Sequence, residues 1–203
     1  MENEIEIIHT PAERRRKAVS TIATMVVVLV LAVVTAVLLK TYVIFTIPVG
    51  GDSMLPTLTG GQYVTDENGK VVETVVKGDI LVLNRVAKLQ RGDIVVFDVQ
   101  WQNDPLVKRV IGVGGDHVEI KNDGKVYVNG IALEEDYIKG VTYSADGSPI
   151  NVIIPEGYIF CLGDNRENSH DSRHNDIGII PIENVRGKCI LVSSANGKLY
   201  SPY

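Results

Sequence analysis

The sequence predicts a mainly β protein, in which a single N-terminal transmembrane helix precedes an antiparallel β-sheet domain with a β-ribbon excursion. Two observations carry this prediction. The first is an uncharged, mostly apolar stretch of 22 residues at positions 18–39. The second is a series of short Val- and Ile-rich runs between turn signals in the rest of the chain. No window after residue 40 shows the apolar spacing of an amphipathic helix.

The apolar stretch predicts a membrane anchor. As a helix rising about 1.5 Å per residue it reaches about 33 Å, enough to cross a hydrocarbon core of about 30 Å. The run Arg14-Arg15-Arg16-Lys17 precedes it, and only Lys40 follows closely. The positive-inside rule therefore predicts a cytoplasmic tail at 1–17, an anchor at 18–39 and an extracytoplasmic domain at 40–203. A cleaved signal peptide, with Val34-Thr35-Ala36 at its cleavage site, and a buried core helix are the alternatives.

Nine β-strands are predicted after the anchor, each bounded by turn residues. They cover residues 42–48, 79–84, 93–99, 107–113, 117–121, 125–128, 152–154, 158–162 and 188–193. Hairpin signals, among them Asn129-Gly130, are dense at about 115–155 and predict the ribbon there. Cys161 and Cys189 lie in two of these apolar runs, which leaves open a disulfide or buried free thiols in neighbouring strands.

The composition is that of a folded globular chain. It has 203 residues, 45% of them apolar, and a formal net charge of -5. One compact unit with a small appendage fits this length. An acidic chain without a Lys/Arg-rich stripe lacks the basic face that phosphate backbones require, so no nucleic acid is expected as a partner.

A glycine-rich turn at residues 50–58 carries a candidate nucleophile, Ser53. A serine on such a turn can present its hydroxyl to a cleft while its own backbone N–H stays free. This is the arrangement that acyl transfer needs. An ordinary surface turn has the same composition and is the alternative.

A strand lysine, Lys108, is a candidate base. In an alternating strand Leu106, Lys108 and Val110 share one face, while Arg109 lies on the other. A lysine among apolar neighbours has a lowered pKa, so its neutral amine can accept a serine proton near neutral pH. A salt-bridged or snorkelling lysine is the alternative.

Two further segments depart from plain strand-and-turn composition. Residues 163–173 are too polar for a short hairpin, and their carboxylates and guanidiniums can lock a loop into one geometry. A solvated loop is the alternative. The pattern at residues 91–97 predicts a turn that leads into a buried strand. We therefore assign this segment a structural role. Gly112-Val113-Gly114-Gly115 lacks the spacing and the following helix of a phosphate-binding loop.

Together these four segments resemble the type I signal peptidases, membrane-bound serine proteases of the Ser/Lys kind. Residues 51–58 match the nucleophile box G-x-S-M-x-P-T-L, and 91–97 match the second box. Residues 108–116 match the lysine box, and 163–173 match G-D-N-R-x-N-S-x-D-S-R. The resemblance covers residues 18–194 and is closest to the Gram-positive type.

The resemblance implies a role for each matching residue. Ser53 is expected to be the nucleophile and Lys108 the general base, with Ser169 orienting the lysine through a hydrogen bond. Asp171 and Arg173 are expected to form a supporting ion pair. By the same analogy three residues hold the loop: Asp164, Asn165 and Arg166.

The oxyanion hole is expected to use the Ser53 backbone N–H, with a contribution from Gly51. Some family members have a serine at the Gly51 position, so the second donor is open. Small residues are expected at the first and third positions before the cleaved bond. Five apolar residues match pocket-lining positions, with core packing as the alternative for each: Val49, Met54, Leu58, Leu106 and Val107.

The implied function is a membrane-bound serine endopeptidase that removes signal peptides from exported preproteins after Ala-x-Ala sequences. Its catalytic domain would be the extracytoplasmic β domain of a single-pass cell-membrane protein with a cytoplasmic N-terminus. Exported preproteins and the lipid bilayer are the expected partners. Neither a metal nor another cofactor is expected.

Rival functions remain open from the sequence alone. A Ser/His/Asp hydrolase would take its base and orienting carboxylate from these residues: His117, His170, His174, Asp116, Asp171 and Asp176. Four of them form a conceivable metal cluster without the usual ligand spacing: His170, His174, Asp171 and Asp176. A membrane-tethered β domain that binds a partner without catalysis is the rival from another class.

Overall fold

The structure is a computed structural model that describes residues 11–65, 67 and 71–203. The chain divides into two compact units, Met1–Val43 and Ile44–Tyr203. In the first, helix α1 spans Pro11–Tyr42. Its segment Arg15–Lys40 is long and apolar enough to cross a membrane, and no part of that segment is buried. The predicted apolar helix is thus present, while its orientation in a membrane stays a prediction.

The second unit is built from β-strands and confirms the mainly β prediction. Its strands are β1 (Ile44–Pro48), β2 (Gln62–Thr65), β3 (Val71–Val76), β4 (Ile80–Asn84), β5 (Ile94–Phe97), β6 (Leu106–Val113), β7 (His117–Ile120), β8 (Val126–Val128), β9 (Ile131–Ala132), β10 (Ile150–Ile153), β11 (Tyr158–Leu162), β12 (Ile180–Pro181), β13 (Val185–Ser193) and β14 (Leu199–Tyr200). A single 3₁₀ turn, Ile182–Asn184, is the only helical element described after α1.

Three antiparallel sheets organise these strands. The main sheet has the order β1-β4-β13-β5-β6-β11-β12, with β14 beside β13. Strands β5 and β6 lie at its centre, and all four residues of β5 are buried. Ile94 and Val96 face one apolar cluster, whereas Val95 and Phe97 face another. Burial on both faces explains why this strand is a continuous apolar run.

The excursion at residues 115–155 is a small four-stranded sheet of order β10-β7-β8-β9. Asn129 and Gly130 connect β8 to β9 with φ angles of 54° and 79°. Two successive positive φ angles are what a two-residue type I′ hairpin requires. The hairpin predicted from the Asn-Gly pair is therefore confirmed.

Each of the nine predicted strands overlaps an observed one, but the prediction omitted β2, β3, β9, β12 and β14. Strands β2 and β3 pair only with each other among the described residues. The other three omitted strands have two residues each. They are extended because a longer neighbour supplies their hydrogen bonds, and so short a segment has no alternation of its own.

The cysteines are free thiols, and both are buried. Cys161 is in β11 and Cys189 in β13, with β5 and β6 between these strands. At about 4.8 Å per strand spacing, three steps across a sheet exceed the Cα separation that a disulfide spans. The disulfide alternative is therefore wrong, and the free thiols are buried as expected but do not lie in neighbouring strands. Burial raises the pKa of the Cys189 thiol to about 11.

Candidate active site

Ser53 lies on a turn whose apolar residues are anchored in the core. Residues 51–58 form consecutive bends and turns, and the Leu58 N–H donates to the Met54 carbonyl at 2.9 Å. The Met54 and Leu58 side chains are fully buried, whereas Ser53 is half-buried. The buried side chains of Met54 and Leu58 thus anchor the turn in the core, while Ser53 stays partly accessible to solvent.

Lys108 meets this serine from the middle of β6. It pairs with Val95 of β5, and only 2% of its surface is exposed. Its Nζ atom lies 2.8 Å from Ser53 Oγ, and it also donates to the Val107 carbonyl at 2.9 Å. Folding therefore brings together two candidate residues that are 55 positions apart.

Burial changes the acidity of this lysine. Desolvation lowers the pKa of Lys108 from 10.5 to about 8, because an ammonium group is costly in an apolar environment. The negative charge of Asp171 opposes the shift, and the positive charge of Arg173 reinforces it. A substantial fraction of the amine is therefore neutral near pH 8.

Hydrogen bonds from the loop after β11 fix the position of the serine turn. The backbone N–H of Asn165 donates to the Ser53 carbonyl, and its side-chain amide donates to the Asp52 carbonyl, each at 3.0 Å. Gly163 lies so close that an added Cβ would sit 2.5 Å from the Ser53 carbonyl oxygen and would also overlap the Ser169 side chain. Only glycine permits this approach.

Asp171 and Arg173 form the ion pair that the sequence led us to expect. Arg173 donates from Nε and Nη2 to the two carboxylate oxygens at 2.8 and 2.9 Å, and both side chains are buried. Asp171 also accepts from the Gly163 N–H at 3.0 Å. Although burial disfavours its charged form, the Arg173 guanidinium and this N–H hold the pKa of Asp171 below its usual value.

The roles of Arg109 and Thr57 were missed from the sequence. Arg109 donates to the two oxygens of Asp164 at 2.9 and 2.7 Å, with both side chains buried. Thr57 Oγ1 donates to the same carboxylate at 2.5 Å, and Arg109 Nη1 donates to the Gly92 carbonyl at 2.9 Å. This network joins all four sequence segments. A signal for it existed, since an arginine within an apolar strand needs a buried anion.

Ser169 differs from expectation. Its buried Oγ atom forms no hydrogen bond of regular geometry within the described residues, and the predicted bond to Lys108 is not formed. It lies close enough to the Asp171 carboxylate to help lower the pKa of that group. The Lys108 amine instead contacts Ser53 Oγ and the Val107 carbonyl. Ser169 Oγ and the Ser53 carbonyl oxygen both lie against Gly163, in the space that a side chain at position 163 would need.

The expected oxyanion donor is available. Within the part of the chain that the structure describes, the Ser53 backbone N–H donates no hydrogen bond. Gly51 precedes it with φ 70°, a conformation that favours glycine, and Gly60 packs against the Gly51 backbone. A side chain at position 60 would displace Gly51.

Most of the apolar residues expected to line a substrate pocket lie in the core. Val49, Met54, Leu58 and Val107 belong to one buried cluster. Leu106 is half-buried and packs against the opposite cluster, on the Lys108 side of β6. Core packing accounts for the first four, and their contact with substrate stays a prediction.

The three described histidines have partners other than Ser53. His117 contacts Asn151 at 2.8 Å, and His170 contacts Asp176 at 2.9 Å. His174 stacks on His170 with ring centroids 4.1 Å apart. Asp116 pairs with Arg91. The described residues contain no group of three or more metal-ligating side chains. The triad and metal alternatives therefore receive no support from this geometry.

Comparison with known proteins finds close relatives. Residues 22–193 match the family described as signal peptidase, peptidase S26. Signal peptidase I of Bacillus licheniformis is 36% identical over 168 residues, covering 78% of this chain and 81% of that protein. Signal peptidase I T of Bacillus subtilis is 34% identical, covering 78% of each. A crystal structure of a signal peptidase I from Enterococcus faecalis, 32% identical with a TM-score of 0.42, covers 51% of this chain and 97% of that one.

The family match and the two Bacillus relatives define the class of the protein: it is a serine endopeptidase. The chain belongs to the signal peptidase family, peptidase S26, whose reaction is the removal of signal peptides. The resemblance drawn from the four sequence segments is thereby confirmed. Together with the apolar helix α1, the family indicates a membrane-associated enzyme.

Proposed function

We propose that the protein cleaves exported preproteins after Ala-x-Ala sequences, with Ser53 as nucleophile and Lys108 as general base. One observation carries the proposal: the amine of a fully buried lysine lies 2.8 Å from the hydroxyl of a half-buried serine. Nucleophile and base within hydrogen-bond reach are the signature of covalent catalysis. Burial supplies the neutral amine that the step needs.

The mechanism follows from this contact. The neutral Lys108 amine removes the Ser53 proton, and the alkoxide attacks the carbonyl of the scissile bond. The unpartnered Ser53 N–H, with Gly51, stabilises the oxyanion of the tetrahedral intermediate. The Lys108 ammonium then protonates the leaving amine. In the second half-reaction Lys108 activates the water that hydrolyses the acyl-enzyme.

The other polar residues hold this pair in place. In the proposal Asp171 and Arg173 support the loop and balance each other's charge beside Lys108. Asn165 fixes the Ser53 turn through two hydrogen bonds. Ser169 lies beside Gly163 and near Asp171, and its hydroxyl reaches Lys108 only if its side chain or the amine moves.

Peptide specificity tests the proposed function. We expect the purified protein in detergent to cleave a peptide with Ala at the first and third positions before the scissile bond. Leu at both positions should lower kcat/KM by at least about 100-fold, because a shallow apolar pocket excludes the larger side chains. Mass spectrometry of the products identifies the bond. Equal cleavage of both peptides, or cleavage elsewhere, would contradict the proposal.

We propose further that the segment 18–39 of α1 spans the membrane, with residues 1–17 in the cytoplasm and the β domain outside. The support is the Arg14-Arg15-Arg16-Lys17 run before the apolar segment. Protease added to intact spheroplasts is expected to digest the β domain and to spare an N-terminal tag. A protected β domain would reverse the orientation. A mature protein beginning at Val37 would instead establish a cleaved signal peptide.

A further inference from the structure

The serine turn and the loop at 163–173 have no regular secondary structure, so other contacts must fix their geometry. A segment of the excursion supplies them. Residues 133–142, here called the clamp segment, follow β9 and run alongside the loop. The Lys139 N–H donates to the Asp164 carbonyl at 2.8 Å, and the Arg166 N–H donates to the Lys139 carbonyl at 2.9 Å. The backbone of Lys139 thus pairs with the residues on either side of Asn165.

Side chains of the clamp segment reinforce this pairing. Glu135 accepts from Arg166 Nη2 at 2.6 Å and from Nη1 at 3.0 Å. The Arg166 side chain is 0% exposed, and its Nε atom donates to the Gly163 carbonyl at 3.0 Å. Tyr137 donates to Glu135 at 2.8 Å, and its ring lies 4.1 Å from the Arg109 guanidinium carbon. The Glu135 carboxylate is thus the anionic partner of a completely buried cation.

The chain of contacts continues to the nucleophile. Arg166 and Asp164 flank Asn165, and Asn165 donates to the carbonyls of Asp52 and Ser53. Displacement of Arg166 would therefore move the two hydrogen bonds that hold the serine turn. Glu135 is not among the charged groups with the largest effects on the pKa of Lys108.

We infer that Glu135 is a positioning residue for the reaction: through Arg166 and Asn165 it sets the position of Ser53 relative to Lys108. The inference rests on the proposed function. It also gives the four-stranded excursion a role, since the chain must pass through β9 to present the clamp segment to the loop. Because its effect is on geometry, Glu135 should influence the chemical step more than substrate binding.

The test compares Glu135→Gln with Glu134→Gln in the full-length protein, using the Ala-x-Ala peptide. Glutamine keeps the shape of the side chain but leaves the Arg166 charge unpaired in the interior, which is strongly unfavourable. Glu134 is an adjacent exposed carboxylate and serves as the matched control. For Glu135→Gln we expect kcat to fall by about 10-fold or more. KM should change by less than about threefold, and the midpoint of the acid limb should stay where it is in the wild type.

Two further variants keep the test decisive if Glu135→Gln fails to fold. Glu135→Asp retains the charge and shortens the reach, so it should lower kcat while the melting temperature stays near that of the wild type. Tyr137→Phe removes only the hydroxyl that donates to Glu135 and should lower kcat less. A folded Glu135→Gln or Glu135→Asp protein with the kcat of Glu134→Gln would overturn the inference.

The proposed function can fail separately. If the wild type does not cleave the peptide, or if Ser53→Ala cleaves it as well as the wild type does, the proposed function is wrong and this role for Glu135 falls with it. If wild type and Glu134→Gln cleave while Ser53→Ala does not, the proposed function stands. The kcat of the Glu135 variants then decides the inference alone.

Discussion

Replacing Ser53 by Ala or Lys108 by Met is expected to lower kcat for the Ala-x-Ala peptide by at least about 10³-fold. The two side chains lie 2.8 Å apart and act on one proton, so the loss of either should cost nearly as much as the loss of both. The double variant should therefore be no worse than the poorer single variant. Peptide cleavage followed by chromatography measures all three.

Both single variants are expected to fold. The charge of Asp171 is balanced by Arg173, so removing the Lys108 amine leaves no unpaired carboxylate beside it. Ser148→Ala and Lys125→Met, at exposed positions of the same domain, are matched controls and should retain full activity. More than a few per cent of wild-type activity in a folded Lys108→Met protein would show that Lys108 is not the general base. It would also make His170 and His174 candidates again.

Activity is expected to fall steeply as the pH is lowered through 8, because only neutral Lys108 can accept the serine proton. A pKa of about 8 for this lysine in the free enzyme predicts that kcat/KM at pH 6 is about 100-fold below its plateau. Desolvation destabilises the ammonium form of Lys108. The acid limb of the pH–rate profile is therefore expected at a pH far below the ordinary lysine pKa. Initial rates between pH 5.5 and 10 measure the midpoint.

The charges beside the lysine should move this midpoint in opposite directions. Arg173→Gln removes a positive charge that disfavours the ammonium, so the midpoint should rise. Asp171→Asn removes a negative charge that favours it, so the midpoint should fall. Each substitution also weakens the loop, which affects the plateau rate. The pH at the midpoint of the acid limb is therefore the quantity that tests the prediction. A limb near pH 6.5 that shifts in His170→Ala would identify a histidine as the base.

Much of the architecture follows from local sequence. The alternation in β6 correctly predicted that Lys108 shares a face with Leu106 and Val110, because side chains of a strand alternate whatever its neighbours are. The Asn129-Gly130 hairpin was equally predictable, since its positive φ angles are a local requirement. The long apolar segment before residue 40 likewise carries its own signal.

Contacts between segments that are far apart in the sequence could not be predicted from local sequence. Glu135 and Arg166 are 31 positions apart, and Thr57 and Asp164 are 107 apart. The composition of one segment contains no information about the other, so such pairs appear only once the strand order is known. The two-residue strands were missed for a similar reason, because a neighbour determines their extension.

The sequence by itself determined the kind of domain and the candidate pair, since four segments in a fixed order carried the family resemblance that named Ser53 and Lys108. Only the tertiary structure decided how that pair is held. The order β5-β6-β11 brings the loop after β11 over the serine turn, and the excursion then brings Glu135 to Arg166. It also left Ser169 without the hydrogen bond that the resemblance implied. Hydrogen bonds depend on separations of a few tenths of an ångström, and these are set by the packing of the whole domain rather than by any one segment.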